Sequence, residues 1–438
     1  MRKRLSLTSL LLISIIWGCN GTVNSKRATT FKTIQKTDSC ITNTKNSYEI
    51  YIPKRTNSNE KFPLLIILDA HGDGKSALEK FIPAASEYNI ILAASNAVKN
   101  GHEDYQYTIQ ELIADIQKKY PLNTSIYITG FSGGSRMALA YATKHPVNGL
   151  LLCGALGTRE QITSISCPIV SVSGTDDFNF IETAQYILQE ETCPSNLHIE
   201  LTDDSHSWPD KNMLVSTLGY LLIGKNSPQS AFQRFRFKQQ MRLDSLSRKN
   251  DLIKVETISR DMALNPYFDD NQKYEELHEL LLKSPAYIFQ INRLSNYLNQ
   301  EVALWQTYTE AFSSESEDWW EKEIASNEEK IRLAKNPLQK DLYLRVKGFL
   351  GINCYSYCKR AIAQQNAAML HKMLVIYKAI EPNNTDMLYF SAFIPFWEGN
   401  STATIEALKK ATRAGFSDLA ELRADFPENI SSKVSLTK

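Results

Sequence analysis

The sequence has almost no surplus charge: 49 Lys and Arg stand against 48 Asp and Glu, a net charge of +1. With a pI near 7.6, it offers no basic footprint of the kind that nucleic acid demands, so a nucleic-acid partner is not expected. Past the first seventeen residues no apolar run is long enough to cross a bilayer. Metal-ligand groupings are also missing. Cys354 and Cys358 sit four apart on an expected helix, but no second Cys or His pair accompanies them. They read as buried packing or a local bridge, and neither metal nor cofactor is called for. Beyond about residue 224 strand patterns nearly vanish, and the part before it has little length to spare for an inserted lid.

What is there begins with a leader. Met1 to Arg4 is basic, and Leu5 to Trp17 is an apolar core too short for a span. It ends in Ile16-Trp17-Gly18-Cys19, which resembles the lipobox of bacterial lipoproteins. That resemblance implies a signal peptide over 1–18, lipid attachment at Cys19 and a chain exported to a bacterial membrane in the cell envelope. A plain secretory signal is the competing reading. The polar stretch 19–45 reads as a flexible tether. Export would permit disulfides among Cys40, Cys153, Cys167, Cys193, Cys354 and Cys358, in a pattern that sequence does not disclose.

At 438 residues two domains are expected, divided near Gly224 to Pro228. Over 46–225 short apolar runs alternate with helical patterns. Strands are expected at 48–53, 62–69, 90–94, 126–130, 149–153, 169–173 and 197–201. Helices are expected at 75–88, 105–120, after Ser132, at 180–189 and at 211–223. That alternation argues for an α/β fold, a mostly parallel sheet with helices on both faces. In such a sheet functional groups collect beyond the carboxyl ends of the strands. The region 229–438 reads as all-helical.

The organising stretch is Tyr127-Ile-Thr-Gly-Phe-Ser-Gly-Gly-Ser-Arg-Met-Ala138. A β-branched run stops at Gly130 and a small-residue helix starts after Ser132. A serine on so sharp a strand-to-helix turn needs neighbours two residues either side that are nearly free of side chain. The N–H of Gly133 would then face an oxyanion. Later strand ends supply Gly174-Thr-Asp-Asp-Phe178 and Asp203-Asp-Ser-His-Ser-Trp-Pro209, so the chain order is serine, acid, histidine. Hydrolysis by serine needs this set: a base for the hydroxyl proton and a carboxylate to orient the base.

These segments resemble the α/β-hydrolase superfamily, in the branch of polyhydroxybutyrate-depolymerase, feruloyl-esterase and dienelactone-hydrolase-like enzymes. The resemblance spans roughly residues 46 to 225. It implies Ser132 as nucleophile, His206 as base and Asp177 as acid, with Asp176 as runner-up should the turn shift by one residue. Asp69-Ala-His-Gly-Asp-Gly74 resembles the superfamily's oxyanion loop, which assigns the second N–H to Asp73, with Gly72 and Gly74 as alternatives. An acidic residue there departs from the family pattern. Asp203 and Asp204 lie too near His206 in sequence to orient it. His198 and His145 read as structural, and His102 lies in a loop where a substrate contact is one option.

In the helical part, Ala379 to Ala392, Trp397-Glu-Gly-Asn400 and Ile405 to Ala411 resemble a tetratricopeptide repeat near 361–414. Pro395 should kink its first helix, and 361–379 reads as a degenerate preceding helix. The expected function is a lipid-anchored serine hydrolase of carboxylic esters. Its substrate would be a soluble or polymeric ester, polysaccharide-linked esters included, and its helical part a docking surface for a protein or only a platform. A peptidase on the same fold and an inactive scaffold lipoprotein are the rivals.

Overall fold

Why the apolar runs become strands is visible in their burial. Leu64, Ile66 and Leu68 face one hydrophobic core while Leu65 and Ile67 face another, so the run over Phe62–Leu68 is buried on both sides. That is the signature of a central strand in a parallel sheet. Each fully buried aliphatic side chain contributes roughly 1.5–3 kcal/mol, which lets strands of five to seven residues suffice. The computed structural model describes residues 32–55, 59–224, 227–265, 267 and 271–434. The expected signal over 1–18 and Cys19 lie outside them.

Eight strands form one sheet: β1 (Ile34–Ser39), β2 (Ser47–Ile52), β3 (Phe62–Leu68), β4 (Ile91–Ser95), β5 (Leu122–Phe131), β6 (Gly149–Cys153), β7 (Ile169–Gly174) and β8 (Leu197–Thr202). Their order is β1-β2-β4-β3-β5-β6-β7-β8. Only the β1–β2 and β2–β4 pairs are antiparallel. Six helices accompany them: α1 (Gly74–Tyr88), α2 (Tyr105–Lys119), α3 (Gly133–Ala142), α4 (Arg159–Thr163), α5 (Phe180–Leu188) and α6 (Lys211–Leu222). Helices α2, α3 and α5 cover one face, α1 and α6 the other. This is the expected mostly parallel, doubly covered sheet.

One expectation is corrected. Within the stretch 19–45, expected to be a tether, residues 34–39 form β1. Its side chains are largely exposed, so no apolar periodicity marked it. Main-chain pairing to β2 holds it, together with polar ties from the α2 end: Tyr120 Oη donates to Asp38 at 2.5 Å and Lys119 Nζ to the Ser39 carbonyl at 2.6 Å.

The remainder is helical: α7 (Gln229–Arg248), α8 (Leu252–Ala263), α9 (Asn271–Leu282), α10 (Pro285–Ser314), α11 (Glu317–Arg332), α12 (Pro337–Ala363), α13 (Ala367–Ile380), α14 (Thr385–Phe390), α15 (Phe393–Trp397), α16 (Ser401–Ala414), α17 (Leu419–Asp425) and α18 (Glu428–Ser431). Polar N-caps start many of them; Ser316, Asn336, Asn366, Asn384, Asn400 and Asp418 each accept from a backbone N–H of the first turn. The expected single helix over 361–379 is two, because Gln365 (φ 50°) and the Asn366 cap interrupt it. The chain breaks again between α14 and α15, just ahead of Pro395, and α14 packs against α16.

The boundary drawn at 225–229 does not separate two cores. Phe235, Leu243, Val255, Ile258 and Met262 share a hydrophobic cluster with Leu151, Val170 and Leu214 of the sheet half. Helix α8 lies along β8, the last strand, and closes its open edge with side chains. Asp261 Oδ2 accepts from the Ile199 N–H at 2.7 Å, and Arg260 Nη2 donates to the Leu197 carbonyl at 2.5 Å. An unpaired strand edge is thereby satisfied by charged groups.

Candidate active site

Strand β5 ends at Phe131 and α3 begins at Gly133, leaving Ser132 alone on the turn with φ 54° and ψ −117°. A non-glycine residue is strained there and stays only because its surroundings over-determine it. The Ser132 N–H donates to the Cys153 carbonyl at the end of β6 (2.9 Å). The flanking glycines are steric requirements. A Cβ on Gly130 would strike the Gly134 and Ser135 backbone, and one on Gly134 the Leu68 carbonyl of β3.

Ser132 Oγ lies 2.8 Å from His206 Nε2, and His206 Nδ1 lies 2.8 Å from Asp177 Oδ2. Because the carboxylate accepts, Nδ1 carries the proton and Nε2 is free to accept from the serine hydroxyl. Asp177 is 1% exposed. Its other oxygen accepts from the Asn179 N–H at 2.8 Å. Gly154, at φ 67°, leaves the room it needs: a Cβ there would come within 3.3 Å of Asp177 Oδ2. Asp176 points elsewhere. It lies beside Asp341 of α12, whose carboxyl is pushed up to about 7 by burial and then by the neighbouring Asp176. Of the two adjacent aspartates, it is therefore Asp177 that meets the histidine.

The His206 ring is packed between Phe131 and Phe178, with centroids 4.7 and 4.4 Å away. Trp208, two residues on, packs on Phe81 and Phe131 and donates Nε1–H to Asp69 Oδ2 at 2.9 Å. Sequence reading noticed the His-Ser-Trp-Pro run but not this use of Asp69. Its signal was a carboxylate directly at the end of a buried strand. Asp69 also gathers the loop that follows it. The His71 N–H donates to its Oδ1 at 2.8 Å, the Gly72 N–H to its carbonyl at 3.1 Å and the Asp73 N–H to Oδ1 at 3.4 Å.

Asp73, the expected second oxyanion donor, belongs to this gathered loop. Its N–H turns to Asp69, and its side chain caps α1 by accepting from the Ser76 N–H at 3.0 Å. The acidic residue that departed from the family pattern is there as a helix cap. Gly72 is likewise engaged, and Gly74 has become the first residue of α1. Gly133 opens α3 beside Ser132. A Cβ there would overlap the carboxamide of Asn100, meeting its Oδ1 first, with Cγ at 2.8 Å and Nδ2 at 3.1 Å.

His198, His145 and His102 have structural partners of their own. His198 is buried and stacks on Tyr220 at 4.7 Å, and His145 packs at a tilt on Tyr141 with centroids 4.4 Å apart. His102 is tied to its own loop, with Nδ1 3.0 Å from the Ala97 carbonyl and Nε2 3.1 Å from Thr108 Oγ1. Asp203 pairs with Lys254 of α8, which holds its carboxyl below the usual range. Cys354 and Cys358 are buried free thiols, as are Cys40 and Cys153. Among the described residues no cluster of metal-ligating side chains occurs.

The helical half reaches the same strand ends. Arg345 of α12 donates to the Thr175 carbonyl at 2.7 Å, and Gly348 faces the Phe178 ring. Lys99 of the β4–α2 loop lies 3.6 Å from Asp418. Asp386 of α14, its carboxyl raised by burial, lies near His71. Sequence reading found no room for a lid inside the sheet half; the residues beside the mouth come instead from the far end of the chain. A separate cleft of about 1030 Å³ lies behind the acid turn, lined by Asp176, Asp203, Lys254, Arg293 and Asp341, and does not include Ser132.

No family model and no curated protein sequence matches the chain. Solved structures do resemble it. S-formylglutathione hydrolase from Staphylococcus aureus matches at 12% identity over 45% of this chain and 98% of its own, with a TM-score of 0.36. The feruloyl esterase module from Clostridium thermocellum matches at 14%, over 45% and 90%, also at 0.36. Est1E from Butyrivibrio proteoclasticus matches at 14%, over 41% and 96%, at 0.32. At such identities and scores they carry no argument about chemistry here. The sheet order, the turn at Ser132 and the helices on both faces give the first half of this chain the α/β-hydrolase fold.

Proposed function

We propose that the protein is a serine hydrolase that cleaves carboxylic esters through an acyl-enzyme. One observation carries the reading: an unbroken hydrogen-bonded line from Ser132 through His206 to a buried Asp177, with the serine on a strained turn. Ser132 Oγ attacks the ester carbonyl while Nε2 of His206 takes its proton. Asp177 orients the imidazole and stabilises the imidazolium. The tetrahedral oxyanion collapses, the alcohol leaves with the proton from Nε2, and an ester of Ser132 remains. Water, deprotonated by His206, then releases the acid and restores the serine. Ring packing by Phe131 and Phe178 fixes the imidazole plane in both steps.

The finer parts of the proposal rest on sequence. Cys19 would anchor the protein by lipid to a bacterial membrane, as the lipobox-like run suggests. The 361–414 helices would offer a tetratricopeptide-like surface to a protein partner. Proximity of Asp386, Asp418 and α12 to the strand-end loops supports a role for the helical half in choosing the ester. The test is turnover of p-nitrophenyl acetate and butyrate by the form beginning after Cys19. Activity lost in both Ser132→Ala and His206→Ala supports the reading, and full activity in Ser132→Ala sinks it. Peptide anilides run in parallel separate esterase from peptidase.

A further inference from the structure

We propose that the side-chain amide of Asn100 is a donor of the oxyanion hole, acting beside the Gly133 N–H. The inference rests on the hydrolase reading and adds a catalytic residue to it. Three observations point to Asn100. The carboxamide occupies the space where a Gly133 side chain would be, with Oδ1 nearest to the position of a Cβ, then Cγ at 2.8 Å and Nδ2 at 3.1 Å, so the donor meets the corner only after the amide turns over. The strand-turn-helix pattern requires small residues at 130 and 134, but not at 133. Gly133 is thus explained by Asn100: any side chain there would expel the amide from the corner where the oxyanion forms.

The second observation is that Asn100 is positioned but not used. Its backbone N–H donates to the Ala70 carbonyl at 2.9 Å, which ties the β4–α2 loop to the β3 loop. Around it, the Val98 N–H donates to Ser95 Oγ (3.0 Å), the His102 N–H to the Lys99 carbonyl (3.1 Å), and the His102 ring to the Ala97 carbonyl. The residue itself is exposed, and its carboxamide makes no hydrogen bond among the described ones. A half-turn about the last side-chain torsion exchanges Oδ1 and Nδ2, so the amide can present its donor when negative charge develops.

The third is the state of the expected donors. Gly72 and Asp73 turn their N–H groups to Asp69, the Asp73 carboxylate fixes that backbone further by capping α1, and Gly74 is the first residue of that helix. A hole needs donors already aimed at the place where charge appears. Gly133 supplies one at the helix start, and Asn100 is the polar group that shares its corner. Nothing is transferred in this role. The amide donates N–H to the oxygen that becomes negative when Ser132 Oγ bonds to the carbonyl carbon, and releases it when the carbonyl re-forms.

The experiment compares wild type with Asn100→Ala, Asn100→Gln and Asn100→Asp on p-nitrophenyl butyrate, and measures inhibition by butane-1-boronic acid, which forms a tetrahedral adduct with an active serine. The expected result for Asn100→Ala is a kcat lower by about 10²–10³-fold with KM nearly unchanged. Boronate binding should weaken in parallel, and thermal midpoints should not move because the side chain is exposed. Asn100→Asp should fall further, since it sets a carboxylate beside the developing oxyanion. A kcat for Asn100→Ala within about threefold of wild type, or a rise in KM alone, overturns the inference. A wild type that neither turns over the ester nor binds the boronate refutes the hydrolase reading instead.

Discussion

The two halves of the molecule hold their charges in opposite ways. In the sheet half, the groups at the strand ends are fixed by turns: Ser132 by its glycines and Cys153, Asp177 by Gly174 and Asn179, Asp69 by its own loop. In the helical half, charges are buried between helices and aimed back at the sheet. Arg345 and Glu301 form a 2.7 Å pair at 1% and 0% side-chain exposure, and Nη1 of the arginine donates to the carbonyl of Thr175, two residues before the triad acid. Glu200 of β8 likewise meets Arg242 of α7 at 2.6 Å. The lesson is that the sheet half carries the chemistry while the helical half braces the turn that presents it.

If that division is right, breaking the chemistry should leave the fold standing. Ser132→Ala should lower ester turnover by at least about 10⁴-fold with a nearly unchanged thermal midpoint, since it removes only a hydroxyl and no packing. Breaking the brace should do the reverse. Arg345→Ala leaves Glu301 buried without its partner and should cost about 3–5 kcal/mol in urea unfolding. It should also reduce kcat by loosening the 174–178 turn. Replacing both charges, Arg345→Met with Glu301→Leu, should restore most of the stability, because well-packed apolar pairs replace buried ion pairs at little cost. Stability that stays low in the double variant would count against the pair being the brace.

Two smaller effects sharpen the comparison. Asp176→Asn should keep most activity whereas Asp177→Asn should lose about 10⁴-fold, measured on the same ester; equal losses would mean that the neighbouring turn positions exchange. The Asp176–Asp341 pair should also show in the pH dependence of stability. Asp341 is raised to about 7 in the folded chain. A raised carboxyl stabilises the fold at low pH, fully below its unfolded value near about 4, and that contribution is lost as pH rises through about 7. Asp341→Asn should therefore flatten the fall in thermal midpoint between about pH 4 and 7. A slope that is the same in both proteins would show that the pair does not hold the proton.

Much of the sheet was readable beforehand because its signals are local. Leu64 to Leu68 is apolar on both faces, Gly130 and Gly134 are steric necessities, and Asp177 lies one turn past a strand end. β1 was not readable: its side chains face solvent, and main-chain pairing leaves no mark on composition. The capping role of the Asp73 side chain was hidden for a related reason. Asp73 looked like a position in a loop, but a carboxylate at a helix start becomes a cap, and its N–H follows. Asn100 left a faint signal, namely a glycine at 133 that the turn does not need. The contact of α12 and Asp386 with the strand-end loops joins residues more than a hundred positions apart, and helical periodicity says nothing about which way a helix end points.

The most direct test of the account is covalent labelling with a fluorophosphonate probe, read by peptide mass spectrometry on wild type, His206→Ala and Asp177→Asn. The account predicts a single adduct on Ser132 in the wild type, and labelling slowed by at least about 10³-fold in both variants. An adduct on another residue, or Ser132 labelled equally fast without His206, would contradict it.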